Sequence, residues 1–298
     1  MTFTPTASGR RVARNLDRVG FESAHASDLI AVLAGRRMAV LTGAGVSTDS
    51  GIPDYRGPKS PPSRPMTIAQ FRGDPVFRQR YWARNHLGWR HLAATDPNAG
   101  HRALAVLEQR GLVTGIITQN VDLLHTKAGS TTVINLHGTY SRVVCLSCGR
   151  AMTRQALATR LEALNPGFIE RAESVGGIAV APDADAVVTD THSFRYLDCP
   201  SCGGILKPDI VYFGESVAKP VVEQAFTLID NSEALLVAGS SLTVYSGYRF
   251  VRRAAARGIP VAIINRGPTR GDDLATVRID GGCSELLTVL AGELPKPR

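Results

Sequence analysis

The stretch Gly43-Ala-Gly-Val-Ser-Thr-Asp-Ser-Gly-Ile-Pro-Asp-Tyr-Arg-Gly57 decides the fold of this chain. It follows an apolar run, Met38–Thr42, that predicts a buried strand, so it stands where a nucleotide-binding fold places its first phosphate loop. The usual G-x-G-x-x-G fingerprint would need glycine at position 48, and Thr48 is there instead. Glycines still let a backbone approach a pyrophosphate, and loop N–H groups bind anionic oxygens. The triplet Asp54–Arg56 adds side chains suited to chemistry on the cofactor as well as to its binding.

Strand-like runs alternate with helix-like runs along most of the chain. The predicted strands are short and aliphatic or β-branched, as buried parallel strands are, and they cover Met38–Thr42, Val113–Thr118, Thr132–Asn135, Ile210–Phe213, Ala234–Ala238 and Val261–Asn265. Helices are predicted between them, at Ser27–Ala34, Gly100–Arg110, Val221–Asn231, Tyr245–Arg257 and Ser284–Ala291. The alternation predicts a doubly wound α/β fold with a parallel, Rossmann-like sheet, which binds ligands beyond the carboxyl ends of its strands.

Two segments interrupt the alternation and predict a second, smaller domain. Residues 58–97 are rich in aromatic side chains and are interpreted as a helical lid. Residues 140–203 are bracketed by cysteine pairs and are interpreted as a zinc-binding module with a long insertion. A flexible N-terminal arm is predicted for residues 1–20. The nucleotide-binding domain then comprises the remaining ranges, 21–57, 98–139 and 204–298.

Composition and charge exclude several functional classes. The 298 residues are 44% apolar and 20% charged, which is ordinary for a globular protein, and no apolar run is long enough to span a bilayer. The N-terminus lacks a hydrophobic signal core, which argues against secretion. The formal net charge is +8, but the basic residues are scattered. We therefore expect anionic ligands, no dedicated nucleic-acid partner, no membrane, and a cytoplasmic location in a bacterium.

Four of the five cysteines form two C-x-x-C pairs, Cys145/Cys148 and Cys199/Cys202, each followed by glycine. Two such turns present four thiolates and complete a tetrahedral zinc site with no open position, so the zinc would be structural. The 50 residues between Cys148 and Cys199 exceed the usual gap of roughly 15–20, which implies an insertion within a zinc ribbon. Redox C-x-x-C motifs are the alternative, although one such motif normally suffices for dithiol chemistry.

Polar side chains follow the second and third predicted strands. Gln119, Asn120 and Asp122 come after Thr118 and can hold a ribose and a carboxamide, because amides both donate and accept hydrogen bonds. Capping of the next helix is the alternative for Asp122. His137 follows the third strand, where an imidazole that titrates near neutrality can act as a general base, although a lone histidine is more often structural. His125 is interpreted as packing or support of the site.

Three further segments have weaker signals. The turn Gly239-Ser240-Ser241 reads as a second phosphate or ribose loop, and Asn265 is placed to bond a ribose. Either motif alone is also consistent with ordinary turn chemistry. The segment Lys207–Glu215 can pair with an extended peptide as an added strand, or it is a core strand followed by a turn.

These motifs together resemble the sirtuins, the NAD-dependent protein lysine deacylases. They fall in the family's order and cover most of the chain from Asp28 to Leu290. The matching segments are GAGVSTDSGIPDYRG (43–57), TQNVDLLHTKAG (118–129), LHG (136–138), the two C-x-x-C pairs, KPDIVYFGE (207–215), GSSL (239–242) and IN (264–265).

The resemblance implies a role for each matching position. His137 is implied as the general base, which takes a proton from a ribose hydroxyl after the acyl-lysine carbonyl oxygen attacks the nicotinamide ribose. Gln119, Asn120 and Asp122 are implied as the catalytic nicotinamide-ribose pocket. Further cofactor contacts are implied for Gly43, Ala44, Gly45, Ser47, Asp54, Tyr55, Arg56, Gly239, Ser240, Ser241, Asn265 and Cys283. The substrate-peptide cleft is implied at Val211, Phe213, Gly214 and Glu215. The implied cofactors are NAD+ and one structural Zn2+, and the implied partners are acyl-lysine proteins or peptides.

The finer resemblance is to the class II, mitochondrial-type branch. It rests on Pro53–Arg56, Tyr81–Asn85, Tyr245–Phe250 and the long insertion between the cysteine pairs. It implies acyl groups other than simple acetyl, with mono-ADP-ribosyl transfer or lipoamidase activity as alternatives, and a mitochondrial matrix location in a eukaryote. A non-catalytic NAD-binding zinc-ribbon module is the rival of another class.

Two specificity questions stay open from the sequence. The pair Tyr81-x-x-Arg84 has the form that the sirtuin removing succinyl and malonyl groups uses, and Arg84 faces either the acyl pocket or solvent. The insertion 166–196 either reaches the active site or is a surface excursion.

Overall fold

Two β-sheets, one parallel and one antiparallel, organise the chain. The computed structural model describes residues 26–55, 66–174, 186 and 191–296; the arm predicted for residues 1–20 and the candidate cofactor residue Arg56 lie outside these ranges. Within the described ranges, no helix is both long and apolar enough to cross a membrane.

Nine strands and ten α-helices are described. The strands are β1 (Met38–Thr42), β2 (Val113–Thr118), β3 (Val133–Asn135), β4 (Gly138–Cys145), β5 (Ala151–Thr153), β6 (Leu206–Ile210), β7 (Ala234–Ala238), β8 (Val261–Ile264) and β9 (Val277–Ile279). The helices are α1 (26–33), α2 (Ile68–Gly73), α3 (Pro75–Ala94), α4 (Ala99–Gln109), α5 (Leu124–Lys127), α6 (Arg154–Leu164), α7 (Phe168–Ser174), α8 (Lys219–Asp230), α9 (Tyr245–Ala256) and α10 (Cys283–Glu293).

The larger sheet has the strand order β3-β2-β1-β7-β8-β9, and all of its pairings are parallel. β1 and β7 lie at its centre and are buried along their whole length. Helices α1, α4 and α10 pack on one face and α8 and α9 on the other, each through leucine, isoleucine or aromatic side chains. The doubly wound, Rossmann-like prediction is confirmed. The chain order reverses direction between β1 and β7, which makes this the switch point where such sheets bind ligands.

One predicted strand was wrong in its bounds and in its sheet. The expected strand Ile210–Phe213 is instead Leu206–Ile210, and it pairs antiparallel with β4 in a three-stranded sheet ordered β5-β4-β6. Residues 206–210 therefore belong with the cysteine module. The chain passes from β3 to β4 without a helix, and a parallel neighbour would need a crossover of about a dozen residues or more. After Ile210 the chain turns, because the Glu215 carboxylate accepts hydrogen bonds from the Tyr212 N–H and from Lys207 Nζ, both at 2.7 Å.

Helices α2 and α3 pack on the antiparallel sheet through an aromatic cluster. The ring of Phe71 stacks on Tyr212, with centroids 5.2 Å apart, and meets Tyr81 edge-on at 5.3 Å. Such ring pairs stabilise a core beyond the area that they bury. Trp82 is also fully buried in this cluster. The aromatic richness of the 58–97 segment thus reflects a core, of which Tyr212 forms one edge.

The described parts of the insertion pack against α3. The Arg84 Nε–H donates to the Ala186 carbonyl at 2.8 Å, and the Gln79 side chain donates to the carbonyls of His192 and Phe194. The ring of Phe194 is buried against Phe168. Residues 175–185 and 187–190 lie outside the described ranges.

The loops after β1 and β7 touch through glycine backbone. The Gly45 N–H donates to the Gly239 carbonyl at 2.9 Å, and the Gly43 N–H donates to the Ala238 carbonyl at 3.2 Å. A Cβ on Gly239 would lie 2.3 Å from the Val46 nitrogen, and one on Gly45 would lie 2.9 Å from the Gly239 Cα. Side chains are therefore excluded from this contact. The glycines of the opening motif serve loop packing as well as any approach to a phosphate.

Replacing Gly239 by alanine should destabilise the protein much more than the same change at Gly111. Both residues have positive φ, +66° and +76°, so both variants pay the left-handed strain of about 1–2 kcal/mol. Only Gly239→Ala also drives a Cβ into backbone, which adds about 1–3 kcal/mol. Chemical denaturation of the two variants measures the difference, and equal losses would contradict the packing role of Gly239.

Candidate active site

A cavity of about 1270 Å³ lies at the carboxyl ends of β1, β2, β7 and β8. The residues proposed from sequence that line it are Gly43, Ala44, Gly45, Ser47, Asp54, Tyr55, Gln119, Asn120, Asp122, His137, Val211, Phe213, Gly214, Glu215, Gly239, Ser240, Ser241 and Asn265. Most of them converge because their loops follow strands of the parallel sheet, which end at one edge. Val211, Phe213, Gly214 and Glu215 instead follow β6 of the antiparallel sheet.

Ser47 joins two of these polar groups. Its hydroxyl donates to Asp122 Oδ2 at 2.7 Å and accepts a hydrogen bond from the Asn120 amide at 3.1 Å. The same amide donates to the Gly43 carbonyl at 3.1 Å. Asp122 also accepts the Leu124 N–H at 3.0 Å at the start of α5, and it lines the cavity. The network fixes the carboxylate and the amide against the first glycine loop.

Burial and hydrogen bonding act in opposite directions on the Asp122 carboxyl. Burial raises the pKa of Asp122 above its ordinary value, while hydrogen bonds from Leu124 and Ser47 and the charge of Lys127 lower it. Hydrogen bonds to a carboxylate favour its charged form. These hydrogen bonds and the positive charge of Lys127 stabilise the buried Asp122 carboxylate.

Two leucines in the cavity loops have left-handed backbone. Leu123 follows Asp122 with φ of 65°, and Leu242 follows the Ser240–Ser241 turn with φ of 56°. A non-glycine residue in this region costs about 1–3 kcal/mol. The strain at Leu123 turns the chain so that the Leu124 N–H reaches Asp122. Both strained residues lie beside the groups that the site depends on.

Gln119 links the second strand loop to the loop after β7. Its side-chain oxygen accepts the Ser240 hydroxyl at 2.6 Å, and its backbone N–H donates to the Thr42 carbonyl at 2.9 Å. A Cβ on Gly247 would lie 2.7 Å from the Gln119 amide, so the start of α9 also packs closely on it. The Gln119 side chain is therefore held in one position where it lines the cavity.

His137 is held in one tautomer. Its Nδ1 lies 2.9 Å from the Gln119 carbonyl, which can only accept, so Nδ1 carries the proton. Nε2 then has the lone pair and accepts the Ser246 hydroxyl at 2.8 Å. Burial lowers the pKa of His137 below its ordinary value of 6.5, the bond to Gln119 partly raises it, and the charge of Arg249 lowers it. The imidazole is neutral near pH 7 and can take a proton at Nε2.

Sequence reasoning missed Ser246 and a histidine behind the site, His101. The His101 Nε2 lies 3.4 Å from the Ser47 hydroxyl, and its ring meets His125 with centroids 4.8 Å apart. His125 Nε2 bonds Thr42 Oγ1 at 2.9 Å. Burial lowers the pKa of His101 to about 4 and that of His125 well below 6.5. Both rings are neutral supports, as expected for His125. The helix start Pro97-Asn98-Ala99-Gly100-His101 was the available signal for His101.

Three proposed site residues do not line the cavity. Tyr81 is buried in the aromatic cluster, where its hydroxyl lies 3.3 Å from that of Tyr140, and Tyr212 stands between it and the cavity. Arg84 faces the Ala186 carbonyl of the insertion. The Cys283 thiol is buried at the start of α10, 4.0 Å from the Ile264 carbonyl, although its neighbour Gly282 lines the cavity. Tyr81 and Cys283 are thus buried in cores, and Arg84 is half-buried against the insertion.

The expected substrate cleft lines the same cavity as the glycine loops. The Val211 N–H donates to the His137 carbonyl at 2.8 Å, which joins this segment to the histidine. The Phe213 side chain is 46% exposed, and its carbonyl accepts the Ile68 N–H at 3.0 Å. Glu215 is engaged by Lys207 at 2.7 Å. Phe213 thus offers the exposed apolar surface of this segment, and Glu215 stabilises the turn.

The four paired cysteines form one cluster. All four Sγ atoms lie within 4.8 Å of one another, with Cys145–Cys202 at 3.5 Å and Cys148–Cys199 at 3.8 Å. Zn–S bonds of about 2.3 Å in a tetrahedron place the sulfurs about 3.8 Å apart. The cluster therefore fits a four-thiolate zinc ion, although the pairs are far apart in sequence.

Comparisons with known proteins agree with this geometry. A chain from Mycobacterium avium described as NAD-dependent protein deacetylase 1 is 75% identical over 271 residues, which cover 91% of this chain and 96% of that relative. The bovine mitochondrial NAD-dependent protein lipoamidase sirtuin-4 is 44% identical, over 86% of this chain and 82% of that relative. A solved structure of Sir2 with a p53 peptide and NAD+ has a TM-score of 0.70 and 31% identity, over 89% of this chain and 96% of that one. The profile of the Sir2 family matches residues 43–246, and the chain belongs to that family.

Proposed function

We propose that this chain is an NAD-dependent protein-lysine deacylase that transfers the acyl group from lysine to ADP-ribose and releases nicotinamide. The observation that carries the proposal is the meeting of His137, Asn120 and Asp122 in one cavity with both glycine loops. The names of its relatives describe NAD-dependent protein deacetylases and a lipoamidase. A non-catalytic NAD-binding module would have no use for a buried neutral imidazole beside these groups.

NAD+ fits the cavity by size and by donor set. The volume of about 1270 Å³ exceeds the roughly 300–1,000 Å³ of ordinary ligand pockets, which leaves room for a dinucleotide and a substrate side chain. The turns Gly43–Gly45 and Gly239–Ser240 would hold its phosphates and riboses. Gln119, Asn120 and Asp122 would hold the nicotinamide and its ribose. When bound, NAD+ supplies the bond to nicotinamide that breaks and the ADP-ribose that accepts the acyl group.

The chain's own residues would orient the reactants and exclude water. The hydrogen bonds from Ser47 to Asp122 and from Asn120 to Gly43 hold the pocket in one geometry before any ligand arrives. Such preorganisation matters because orientation alone can lower a barrier by several kcal/mol, on the order of 7–11 in the most favourable cases. His137 would take a proton at Nε2 from a substrate hydroxyl after the Ser246 hydroxyl swings away.

For the acyl group, we propose a preference for groups other than acetyl. The relatives' names differ on this point, since two specify deacetylase and one lipoamidase. Tyr81 and Arg84 do not support a particular acyl preference, because neither side chain lines the cavity. The described insertion residues pack on α3, which favours the interpretation of a surface excursion.

Mono-ADP-ribosyl transfer uses the same pocket, and incubation with labelled NAD+ distinguishes the two reactions. Label on protein favours transfer, and label on O-acyl-ADP-ribose favours deacylation.

We also propose one structural zinc ion at the four cysteines and a cytoplasmic location. The relatives from Mycobacterium avium and Streptomyces coelicolor, 75% and 52% identical to this chain, are bacterial. The cysteine cluster lies at the end of β4, far along that strand from His137, which precedes its first residue. Four thiolates leave no coordination position open, so the zinc would stabilise the small sheet without entering the chemistry.

Replacing His137 by alanine should abolish deacylation while NAD+ binding is retained. Loss of a general base costs about 10²–10⁴-fold in rate, and the pocket network does not run through the imidazole side chain. Steady-state kinetics with an acetyl-lysine peptide and calorimetric binding of NAD+ measure the two effects. His91→Ala, at an exposed position near the end of α3, is the control. Full turnover by His137→Ala would remove this residue from the mechanism.

The pH profile should carry the signature of the lowered His137 pKa. Since burial favours the neutral ring, the base form persists as pH falls, and the acid limb of kcat/KM should lie below pH 6.5. The profile of kcat/KM for the free enzyme, taken between pH 5 and pH 8, checks this. An acid limb above pH 6.5 would show that the imidazole is more easily protonated than its surroundings imply.

Elemental analysis should find about one zinc per chain, and Cys148→Ser should lose it together with thermal stability. Structural zinc contributes folding free energy directly, so chelation should lower the Tm in the same way. Cys283→Ala is the matched control, because its thiol is buried outside the cluster. Retained zinc in Cys148→Ser, or loss of zinc in the control, would contradict this assignment.

A further inference from the structure

Arginine and tyrosine side chains cluster at the start of α9, beside a loop of the large cavity. That loop lines the cavity through Thr243 and Val244. Tyr245 follows directly, and 48% of its surface is exposed. We call this cluster the α9 patch, and each of its members contacts another member. The members are Tyr245, Tyr248, Arg249, Arg252 and Arg270.

The two tyrosines of the α9 patch hold its three arginines in place. The Arg249 guanidinium lies over the Tyr245 ring at 5.3 Å, and Arg252 Nη1 donates to the Tyr245 hydroxyl at 3.3 Å. The Arg270 guanidinium lies over the Tyr248 ring at 4.5 Å, and the two rings meet edge-on with centroids 6.4 Å apart. Because these contacts restrict the guanidinium groups beforehand, less conformational entropy is lost when they bind a ligand.

Arg270 connects the α9 patch to residues that line the cavity. Its backbone N–H donates to the Ser241 carbonyl at 3.0 Å, and its Nη1 donates to the Thr243 carbonyl at 3.5 Å. Ser241 and Thr243 line the cavity, and so does Phe213 in the segment expected to bind the substrate peptide. A peptide whose acyl-lysine enters this cavity therefore runs close to the patch.

The positive charges of the α9 patch have no acidic partner in the described part of the chain. None of the ion pairs among the described residues includes an arginine of the patch. Further along the same helix, by contrast, Arg253 and Arg257 share the Asp230 carboxylate, at 2.8 and 3.7 Å. Asp272, close to the patch in sequence, pairs with Arg278 at 3.4 Å. The patch thus offers three cations to an anionic ligand.

We propose that the α9 patch binds acidic residues that flank the acyl-lysine of a protein substrate. Guanidinium groups match the geometry of carboxylates and form charge-assisted hydrogen bonds with them. The proposal rests on the proposed deacylase function and adds a substrate class to it, namely proteins acylated at lysines within acidic sequence. Nucleic-acid phosphates are the other polyanion, but a nucleic-acid surface follows a backbone with a long basic groove, whereas these arginines occupy one short patch beside the cavity.

The length of the α9 patch sets which flanking positions can be recognised. Tyr245 and Arg252 are seven residues apart on the helix, which is a rise of about 10 Å. An extended peptide covers that distance in about three residues, at about 3.3 Å each. We therefore expect carboxylates two or three positions from the acyl-lysine to be bound. Exposed charges beyond about 10 Å are screened by salt, so more distant carboxylates should contribute little.

The experiment compares acetyl-lysine peptides that have glutamate at the second and third positions on both sides of the lysine with peptides that have glutamine there. The variant of the full chain is the double substitution Arg252→Gln/Arg270→Gln. Arg253→Gln is the matched control, because Arg253 lies on the same helix and pairs with Asp230. Kinetics measure the ratio of kcat/KM for the glutamate and glutamine peptides, at about 20 mM and about 300 mM salt. Calorimetry measures the Kd of both peptides and needs no turnover.

The wild type should favour the glutamate peptide by about threefold to tenfold at low salt, since each exposed charge pair contributes a few-fold at most. The preference should lie in KM, because contacts to flanking residues are the same in the ground state and the transition state. The double variant should lower the preference to less than about twofold, and high salt should lower it in the wild type. Arg253→Gln should keep the wild-type ratio.

A wild type without a glutamate preference in either Kd or kcat/KM overturns the proposal, and so does a preference that survives in the double variant. Binding of a labelled oligothymidylate that the double variant weakens, in a protein without glutamate preference, would assign the α9 patch to nucleic acid instead. A glutamate preference in Kd without turnover of any acyl-lysine peptide would refute the deacylase proposal and support the acidic-peptide surface.

Discussion

The close contact between the loops after β1 and β7 is the constraint on which the rest of the site depends. Gly45 bonds the Gly239 carbonyl directly, and neither position has room for a Cβ. This contact brings Ser240 to Gln119, whose carbonyl in turn fixes the tautomer of His137. This backbone approach thus places the β7 loop against the residue that bonds the base. Side chains at either glycine would separate the two halves of the sheet edge.

The polar groups of the site hydrogen-bond one another within a largely buried region. Ser47 satisfies Asp122 and Asn120, and Thr42 satisfies His125. Burial lowers the histidine pKa values, so these rings stay neutral and leave no uncompensated charge around the reacting position. Arg154 is the contrast, since its burial is as complete while three of its donors are unmatched among the described residues.

Much of the fold could be predicted from local patterns in the sequence. The bounds of β1, β2 and β7 were predicted as they stand, because fully buried parallel strands are short uninterrupted aliphatic runs. The strand Ile210–Phe213 was misplaced because an apolar run does not reveal whether its neighbour is parallel or antiparallel. β9, with Arg278 at its centre, gave no such run and was missed. Tyr81 and Arg84 had the spacing of a specificity pair, yet one is buried in an aromatic cluster and the other bonds Ala186.

The sequence by itself determined the fold class, the four clustered cysteines and the polar residues that end each strand, because these depend on period, residue type and the rule that parallel strands share an edge. Only the tertiary structure decided which groups bond. Ser246 and His101 come from helices distant in sequence, and their roles arise from distances to His137 and Ser47. The tautomer of His137 and the unmatched donors of Arg154 were likewise settled by neighbours that the chain brings together on folding. Hydrogen bonding and burial are properties of the packed molecule, so no local pattern encodes them.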